Sequence, residues 1–314
     1  MTSEAFRAAE ATEAVPCPVC GAETHEVLFE AGDYEYQLPG RFFVSRCRGC
    51  GLLFQNPRPP FAEILRYYTE SYEPYKAVGS SLMQRIRRRF LVSPRLEKYR
   101  KLAARFERPV DFLDVGCATG DLLAELATMP EFRCQGLEPV SHAAQIARER
   151  GFEVHCATME EWDMPDGQFD VVSLNHVIEH VPDPKGLAAR ICRLLRPDGV
   201  LTGETPCVDA LERLVFGRYW KIYHLPRHLT FFSKELLIRL LREAGFSRVE
   251  LHLQPAPTTW QGSVRNYLLA GDFPPFVKER FSGQNVALNL AVAPIVFPCA
   301  WLGYASIVHF TAYK

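Results

Sequence analysis

The sequence predicts an α/β protein with a sheet of seven strands and a small cysteine-rich module in front of it. Three observations carry that reading. From residue 110 short apolar runs alternate with helical patterns, the stretch FLDVGCATGD sets two glycines between a strand and a helix, and the pairs CPVC and CRGC stand ahead of both.

The bulk properties leave room for this and narrow the rest. A chain of 314 residues with 47% hydrophobic content holds two modest domains, or one large domain with an appendage. Its formal charge of −1 gives no overall pull toward nucleic acid, so polyanion binding would need a local patch. One patch is present: RIRRRF (85 to 90) and PRLEKYRKLAARFERP (94 to 109) carry ten Arg or Lys against two Glu. It reads as a solvated helix face, with a landing strip for a phosphorylated substrate or an anionic membrane surface as the sharper alternative. The opening MTSEAFRAAEATEAV lacks a basic segment followed by an apolar run, so no secretory signal is expected and a cytoplasmic location is. Thiols stay reduced there. The ten cysteines are therefore read as metal ligands and buried small hydrophobes, not as a disulfide framework.

In chain order, residues 1 to 16 are Ala- and Glu-rich without apolar periodicity and are expected to form a disordered tail. The module spans 17 to 60. Cys17, Cys20, Cys47 and Cys50 are the two halves of a tetrahedral thiolate site, a zinc ribbon, and zinc in such a closed site is structural. The 26 residues between the pairs exceed the usual interval of about 15 to 20. HEVLFEAGDYEYQL and RFFVSR inside that interval are strand-like, so the excess reads as a hairpin, with iron-sulfur ligation and a redox dithiol as alternatives. QNPRPP then stops regular structure. FAEILRYY and SLMQRIRRRFLV have helical spacing and predict a helical bridge or lid over 61 to 108.

The main domain runs from 109 to 314. Its strands are VDFLDV (110 to 115), FRCQGLE (132 to 138), FEVHC (152 to 156), FDVVSLN (169 to 175), GVLTGETP (199 to 206), SRVELHLQ (247 to 254) and SIVHFTAYK (306 to 314). GDLLAELATM, SHAAQIARER, KGLAARICRLLR and SKELLIRLLREAGF are the helices between them, the last written with a Ser N-cap and a closing Gly245. An apolar insertion occupies about 256 to 304, and residues 285 to 310 hold no formally charged residue over 26 positions. Length alone permits a membrane span, but Pro294, Pro298, Asn285 and Asn289 argue against one. An ordinary packed helix is expected, with a lipid- or substrate-facing helix as the alternative.

Chemistry gathers at the strand ends. Asp114 closes the first strand, and Gly116 and Gly120 border the turn that follows, so a ligand can approach backbone at the carboxyl edge of the sheet. Glu138, one strand later, is placed to accept hydrogen bonds from two ribose hydroxyls. In NHVIEHVPDP, His176, Glu179 and His180 fall at i, i+3 and i+4, where they can bind a metal or take a proton. GRYWKIYHLPRHLTFFS (217 to 233) mixes aromatics with Lys221, His224, Arg227 and His228, and acceptor binding or general-base work stands there beside mere fastening of the loop.

FLDVGCATG (112 to 120), GLEP (136 to 139), FDVVSLNHVIEHVPDP (169 to 184) and RLLRPDGVL (193 to 201), in that order and spacing, resemble the class I S-adenosylmethionine-dependent methyltransferases. Within them the likeness is to the group related to the ubiquinone-pathway O-methyltransferases, over about residues 109 to 254. It implies a Rossmann-like sheet whose last strand is antiparallel, and S-adenosylmethionine as methyl donor. It places Asp114, Gly116, Thr119 and Gly120 along the methionine and ribose side of the cofactor, Glu138 and Pro139 at the ribose, Met159 and Glu160 at the adenine, and Asn175 near the sulfonium. Ala118 stands where many members carry glycine. Related enzymes associate Glu, Glu and His with a metal at the positions of His176, Glu179 and His180, and here the first is histidine.

A sulfonium methyl is already electrophilic, so catalysis is mainly positioning, and a base is needed only when the acceptor is a hydroxyl. His176, His180, His224 and His228 are the candidates. The expected acceptor is a small molecule, a hydroxyl of a sugar, glycan or natural-product intermediate, phosphorylated or lipid-linked forms included. The alternatives are an RNA methyltransferase gripping its substrate through the module, a C-methyltransferase on a nucleotide-linked sugar, and a non-enzymatic interaction module. Four arginines against five acidic residues give the module no strong phosphate-binding face, which disfavours nucleic acid.

Overall fold

In the computed structural model the chain is described at residues 11–69, 72, 75, 94–271, 273–281 and 285–314. The expected helix at SLMQRIRRRFLV, with its RIRRRF run, lies outside the described residues, as do the first ten residues of the expected tail. Residues 13 and 15 are tied down: Glu13 pairs through its backbone with Arg58, and Val15 exchanges two hydrogen bonds with the Asn56 side chain.

The main sheet has seven strands: β4 (Val110–Val115), β5 (Phe132–Leu137), β6 (Glu153–His155), β7 (Phe169–Asn175), β8 (Leu195–Pro206), β10 (Arg248–Gln254) and β11 (Ile307–Tyr313). Their spatial order is β10-β11-β8-β7-β4-β5-β6. The strands from β8 to β6 run parallel, and β11 is antiparallel to both β8 and β10. The order reverses direction at β4, so the carboxyl ends of β4, β5 and β7 surround the crevice where such sheets bind ligands.

Helices cover both faces. On one, α2 (Pro94–Ala103), α3 (Asp121–Leu126) and α4 (Ser141–Glu149) bury Tyr99, Leu123, Ala144 and Ala147 against Phe112, Val171 and Val200. On the other, α5 (Pro184–Leu194) and α7 (Lys234–Glu243) bring Leu187, Ile191, Leu237 and Leu241 onto Leu113, Val172 and Leu201. Both helix starts on that face follow from sequence: Asp183 accepts from the Gly186 N–H and Ser233 from the Leu236 N–H.

The described part of the basic stretch is largely partnered. Arg100 pairs with Glu97, Arg105 lies over the Tyr313 ring, and Arg108 forks onto Asp170, which also takes Arg196. These contacts spend the cations on the fold. Of the six scattered cysteines, Cys117, Cys192 and Cys207 are buried as expected, whereas Cys156 is exposed.

The N-terminal sheet contains a strand that the sequence does not announce. β1 (His25–Ala31), β2 (Phe42–Cys47) and β3 (Leu53–Gln55) form the expected hairpin and return, and β9 (Thr230–Phe231) adds to β3 as a fourth antiparallel strand. The module therefore grips the main domain through shared backbone pairing. A separate core joins them, in which Phe42, Val44, Leu53 and Tyr67 pack with Trp220, Tyr223, Leu225 and Phe231.

After β10 come α8 (Pro257–Ala270), α9 (Pro275–Glu279) and α10 (Val286–Trp301), the last with Pro294 and Pro298 inside it. Among the described residues no helix is long and apolar enough to cross a membrane. The packed-helix expectation needs correction, because only Val296 and Ala300 of α10 are buried. Composition marked the segment as apolar without showing that little of the protein covers it.

Candidate active site

The turn after β4 is shaped by glycine. Gly116 has φ 69° and Gly120 φ 80°, both left-handed, and a Cβ on Gly116 would lie 2.5 Å from a Val177 methyl. Ala118 also sits at φ 47°, which costs an L-residue energy that glycine escapes. Ala118→Gly is expected to stabilise the protein by about 0.5–1 kcal/mol, after allowance for glycine's freer unfolded chain. A urea titration would show this as a higher midpoint at unchanged slope, and a lower midpoint would mean that the alanine methyl group packs usefully.

Asp114 and Glu138 lie under this turn, 5% and 4% exposed. Ser173 donates its hydroxyl to Asp114. Glu138 accepts from the Ala118 N–H through one oxygen and from the Val140 N–H through the other, each at 2.9 Å. Burial pushes its pKa up to about 7, with the two backbone donors pulling the other way. A buried carboxylate with only two donors retains lone pairs for two more, which fits a ribose diol. The cradle thus fits S-adenosylmethionine. Thr119 and Met159 are buried, Asn175 is half-buried at the end of β7, and Pro139 and Glu160 are exposed.

Beside the cradle, the ends of β7 and β8 carry an acid–base cluster. The register sets Asn175 opposite Glu204. His176, 43% exposed in its side chain and held at φ 53°, places Nδ1 3.1 Å from Glu179 Oε1 and Nε2 3.6 Å from Glu204 Oε2. Burial works against the imidazolium, but the two carboxylates outweigh it and raise the pKa to about 10. Glu179 is fully buried, accepts from the Thr205 hydroxyl at 3.0 Å, and has its pKa lowered: burial opposes ionisation and the His176 bond outweighs it.

His180 and His228 complete the cluster. Their rings are 4.5 Å apart, and each sets Nδ1 against a backbone carbonyl, Arg227 at 3.0 Å and Ile222 at 2.7 Å. Nδ1 of His180 also meets the Tyr68 hydroxyl at 2.8 Å. Burial drives the His180 pKa down to about 4 and that of His228 well below its ordinary value, so both are neutral at pH 7. Glu179, His180 and His228 bring ligand atoms within 4.8 Å of one another. This grouping differs from the i, i+3, i+4 set, because His176 turns toward Glu204.

The loop of residues 217–233 is fixed from the N-terminal module. Arg227, wholly buried, donates to Asp33 at 3.0 Å and to the Tyr67 carbonyl, and its guanidinium lies 4.3 Å over the Tyr36 ring. His224 meets Glu35 at 2.7 Å, and Gln55 donates to the Pro226 and His228 carbonyls. Arg227 thus fastens the loop. Asp33, Glu35, Tyr68 and Glu204 are the residues that sequence reasoning missed.

Cys17, Cys20, Cys47 and Cys50 converge, with Sγ atoms 3.6 Å apart for Cys17 and Cys50 and 3.5 Å for Cys20 and Cys47. A tetrahedral ion with Zn–S bonds near 2.3 Å needs sulfurs about 3.8 Å apart, so the donor set fits zinc.

A switch-point crevice holding a glycine turn and a buried acid on the next strand, in a sheet of this order, defines a Rossmann-like methyltransferase fold. The family described as a methyltransferase domain matches residues 83–251, just over half of the chain, and the protein belongs to it. It is 33% identical to a ubiquinone biosynthesis O-methyltransferase of Haemophilus ducreyi over 192 residues, covering 56% of this chain and 75% of that one. Identity to the Thiobacillus denitrificans protein of the same description is 33% over 152 residues, 44% of this chain and 65% of that one. The Penicillium expansum O-methyltransferase cnsE is 29% identical, with 44% of this chain and 52% of that one covered. The chain thus spans about half to two thirds of the length of these last two relatives. Among solved structures, phospholethanolamine N-methyltransferase 2 of Haemonchus contortus shares the fold at a TM-score of 0.52 and 17% identity, over 83% of this chain and 62% of that one.

Proposed function

We propose that the protein is an S-adenosylmethionine-dependent methyltransferase that methylates an oxygen of a small molecule, and that its four-thiolate cluster holds a structural zinc. The observation that carries the reading is the His176–Glu179–Glu204 unit at the ends of β7 and β8, next to the strand that bears the glycine turn. S-adenosylmethionine, when bound, supplies an electrophilic methyl group. The chain's own task is then to hold an acceptor oxygen in line and to receive its proton.

His176 is suited to the first task. Its imidazolium, held charged by two carboxylates, is a fixed positive charge beside which an acceptor oxyanion is favoured. Glu204, with His176 and His309 each 3.6 Å away, is suited to the second as the more exposed of the two carboxylates, Glu179 being fully buried. His224 and His228 act as positioning residues, each fixed by a partner in the loop or the module. An amine in its free-base form needs no such base, so the unit favours oxygen.

Tyr36, Tyr68, Tyr72 and Tyr75 form a linked aromatic cluster between the module and this edge, with ring centroids 5.0–6.3 Å apart. Such faces suit the ring of a sugar or an aromatic natural product. Two of the module's four arginines are spent in ion pairs, Arg41 with Glu30 and Arg58 with Glu13, and five acidic residues outnumber the four, which supports a small acceptor over nucleic acid.

Turnover with labelled S-adenosylmethionine across a panel of hydroxylated sugars and phenols identifies the acceptor class. In the assay so defined, Glu204→Gln is expected to lower kcat by about 10²–10³-fold, with S-adenosylhomocysteine affinity changed less than about twofold. Unchanged kcat would remove Glu204 from the reaction and the base argument with it.

A further inference from the structure

Helix α10 is apolar around nearly its whole circumference, and the protein covers little of it. Its polar residues point into the protein: Asn289 Oδ1 accepts from Gln261 Nε2 at 2.5 Å, the Asn285 carbonyl accepts from the same amide, and Asn285 also caps the helix through Leu288. Its apolar residues point out, with Leu290 68%, Phe297 55% and Trp301 96% exposed. Neighbouring elements extend the face. Phe276 on α9, Phe273 before it and Tyr267 on α8 are exposed, and Leu214 and Val215 stand out from the short helix Leu211–Phe216.

Part of this face is braced from below. Buried Glu212 accepts hydrogen bonds from the hydroxyls of Thr259, Ser263 and Ser306, joining the short helix, α8 and the segment entering β11, and Gln261 ties α8 to α10.

Cations border the apolar residues. Arg218 lies over Tyr219, which packs edge-on against Tyr267, which touches Phe273. Over residues 211–219 and 257–302 the sequence has Arg218, Arg265, Lys278 and Arg280, apart from Arg213, which is held on the Val208 carbonyl, against three carboxylates, one of them the buried Glu212. A two-fold contact between copies would set like rims against each other, whereas an anionic lipid surface complements them. Exposed Trp and Phe with a cationic border are the composition of a helix lying in a bilayer interface, and no described helix is long enough to span.

We propose that the face formed by α10, α9 and the outer side of α8 docks the protein on the surface of an anionic bilayer. In co-sedimentation with vesicles of phosphatidylcholine containing about 30% phosphatidylglycerol, the full chain pellets, and pure phosphatidylcholine binds it less well. Leu290→Glu combined with Trp301→Glu is expected to weaken this partition by about tenfold or more. In the wild-type chain brominated lipids quench the one exposed tryptophan of the four, and Trp301→Phe abolishes the quenched component, a readout that needs no destabilising substitution.

Failure of the wild-type chain to bind either vesicle overturns the proposal, as does equal partition by the double variant. A wild-type dimer that the same substitutions dissociate, without vesicle binding, would assign the face to a second copy and likewise overturn it. S-adenosylhomocysteine affinity is measured alongside, and its loss would bear on the methyltransferase reading alone.

Discussion

A Cys47→Ser chain is expected to lose the zinc proposed for the four-thiolate site and, with it, the order of the loop that carries His224 and His228. Purified without added zinc, the wild-type chain should contain about one zinc, and the variant far less. A structural zinc supplies apparent binding free energy of about 10–16 kcal/mol in small zinc modules, more than a module of this size holds by its own core. The loss then travels by identifiable contacts. Without β3, β9 loses its ladder partner and keeps only the Thr230 N–H bond to the Glu179 carbonyl, the Gln55 bonds to Pro226 and His228 disappear, and Arg227 loses Asp33. Breaking one buried ion pair from one side costs about 3–5 kcal/mol, so loosening of residues 217–233 should be plain in amide exchange. Protection there should fall while β4, β5 and β7 keep theirs. A metal-free chain whose loop stays protected would show that the cysteines are ordinary core residues.

Regular elements were readable because local periodicity encodes them. The strands of the main sheet, the capped helix after Ser233 and the hairpin between the cysteine pairs all lie where alternation and turn residues set them. Glu138 was readable from its place at the carboxyl end of a strand. Glu204 carries the same signal in GETP, an acid at the end of β8, and becomes telling once β7 and β8 are known to be neighbours. Other features have no local signature. A two-residue strand such as Thr230–Phe231 is too short for a period, and the bonds from Arg227 to Asp33 and from His224 to Glu35 join positions 194 and 189 residues apart. The uncovered face of α10 was hidden for another reason. Its composition is apolar on all sides, and only the partners of Asn285 and Asn289 tell inside from outside.

The affinity for S-adenosylhomocysteine is expected to rise between pH 6 and 8 in the wild-type chain and to lose that dependence in Glu138→Gln. Burial lifts the Glu138 pKa from its ordinary 4.5 to about 7, so the empty site is partly protonated at neutral pH. A ribose diol donates two hydrogen bonds and is received best by the carboxylate, so binding releases a proton. Below pH 7 the dissociation constant should therefore grow by up to about tenfold per pH unit, and above pH 8 it should level off. Glutamine keeps the volume but turns an N–H₂ toward donors. The expected loss is about 30-fold or more at pH 8, the worth of one or two hydrogen bonds to a charged group. Stability moves the other way and separates function from folding. A raised carboxyl pKa stabilises the fold below the unfolded value and loses that contribution as pH rises through 7, so at pH 8 the empty Glu138→Gln chain escapes the cost of a buried charge and gives up only the one backbone N–H, of Ala118 or Val140, from which its amide nitrogen cannot accept. Glu138→Ala is the harsher test, since it orphans the Ala118 and Val140 N–H groups and loosens the turn itself. Calorimetry at pH 6, 7 and 8 on wild type and Glu138→Gln decides the matter. A flat wild-type profile, or a glutamine variant that binds as tightly at pH 8, would place the ribose elsewhere.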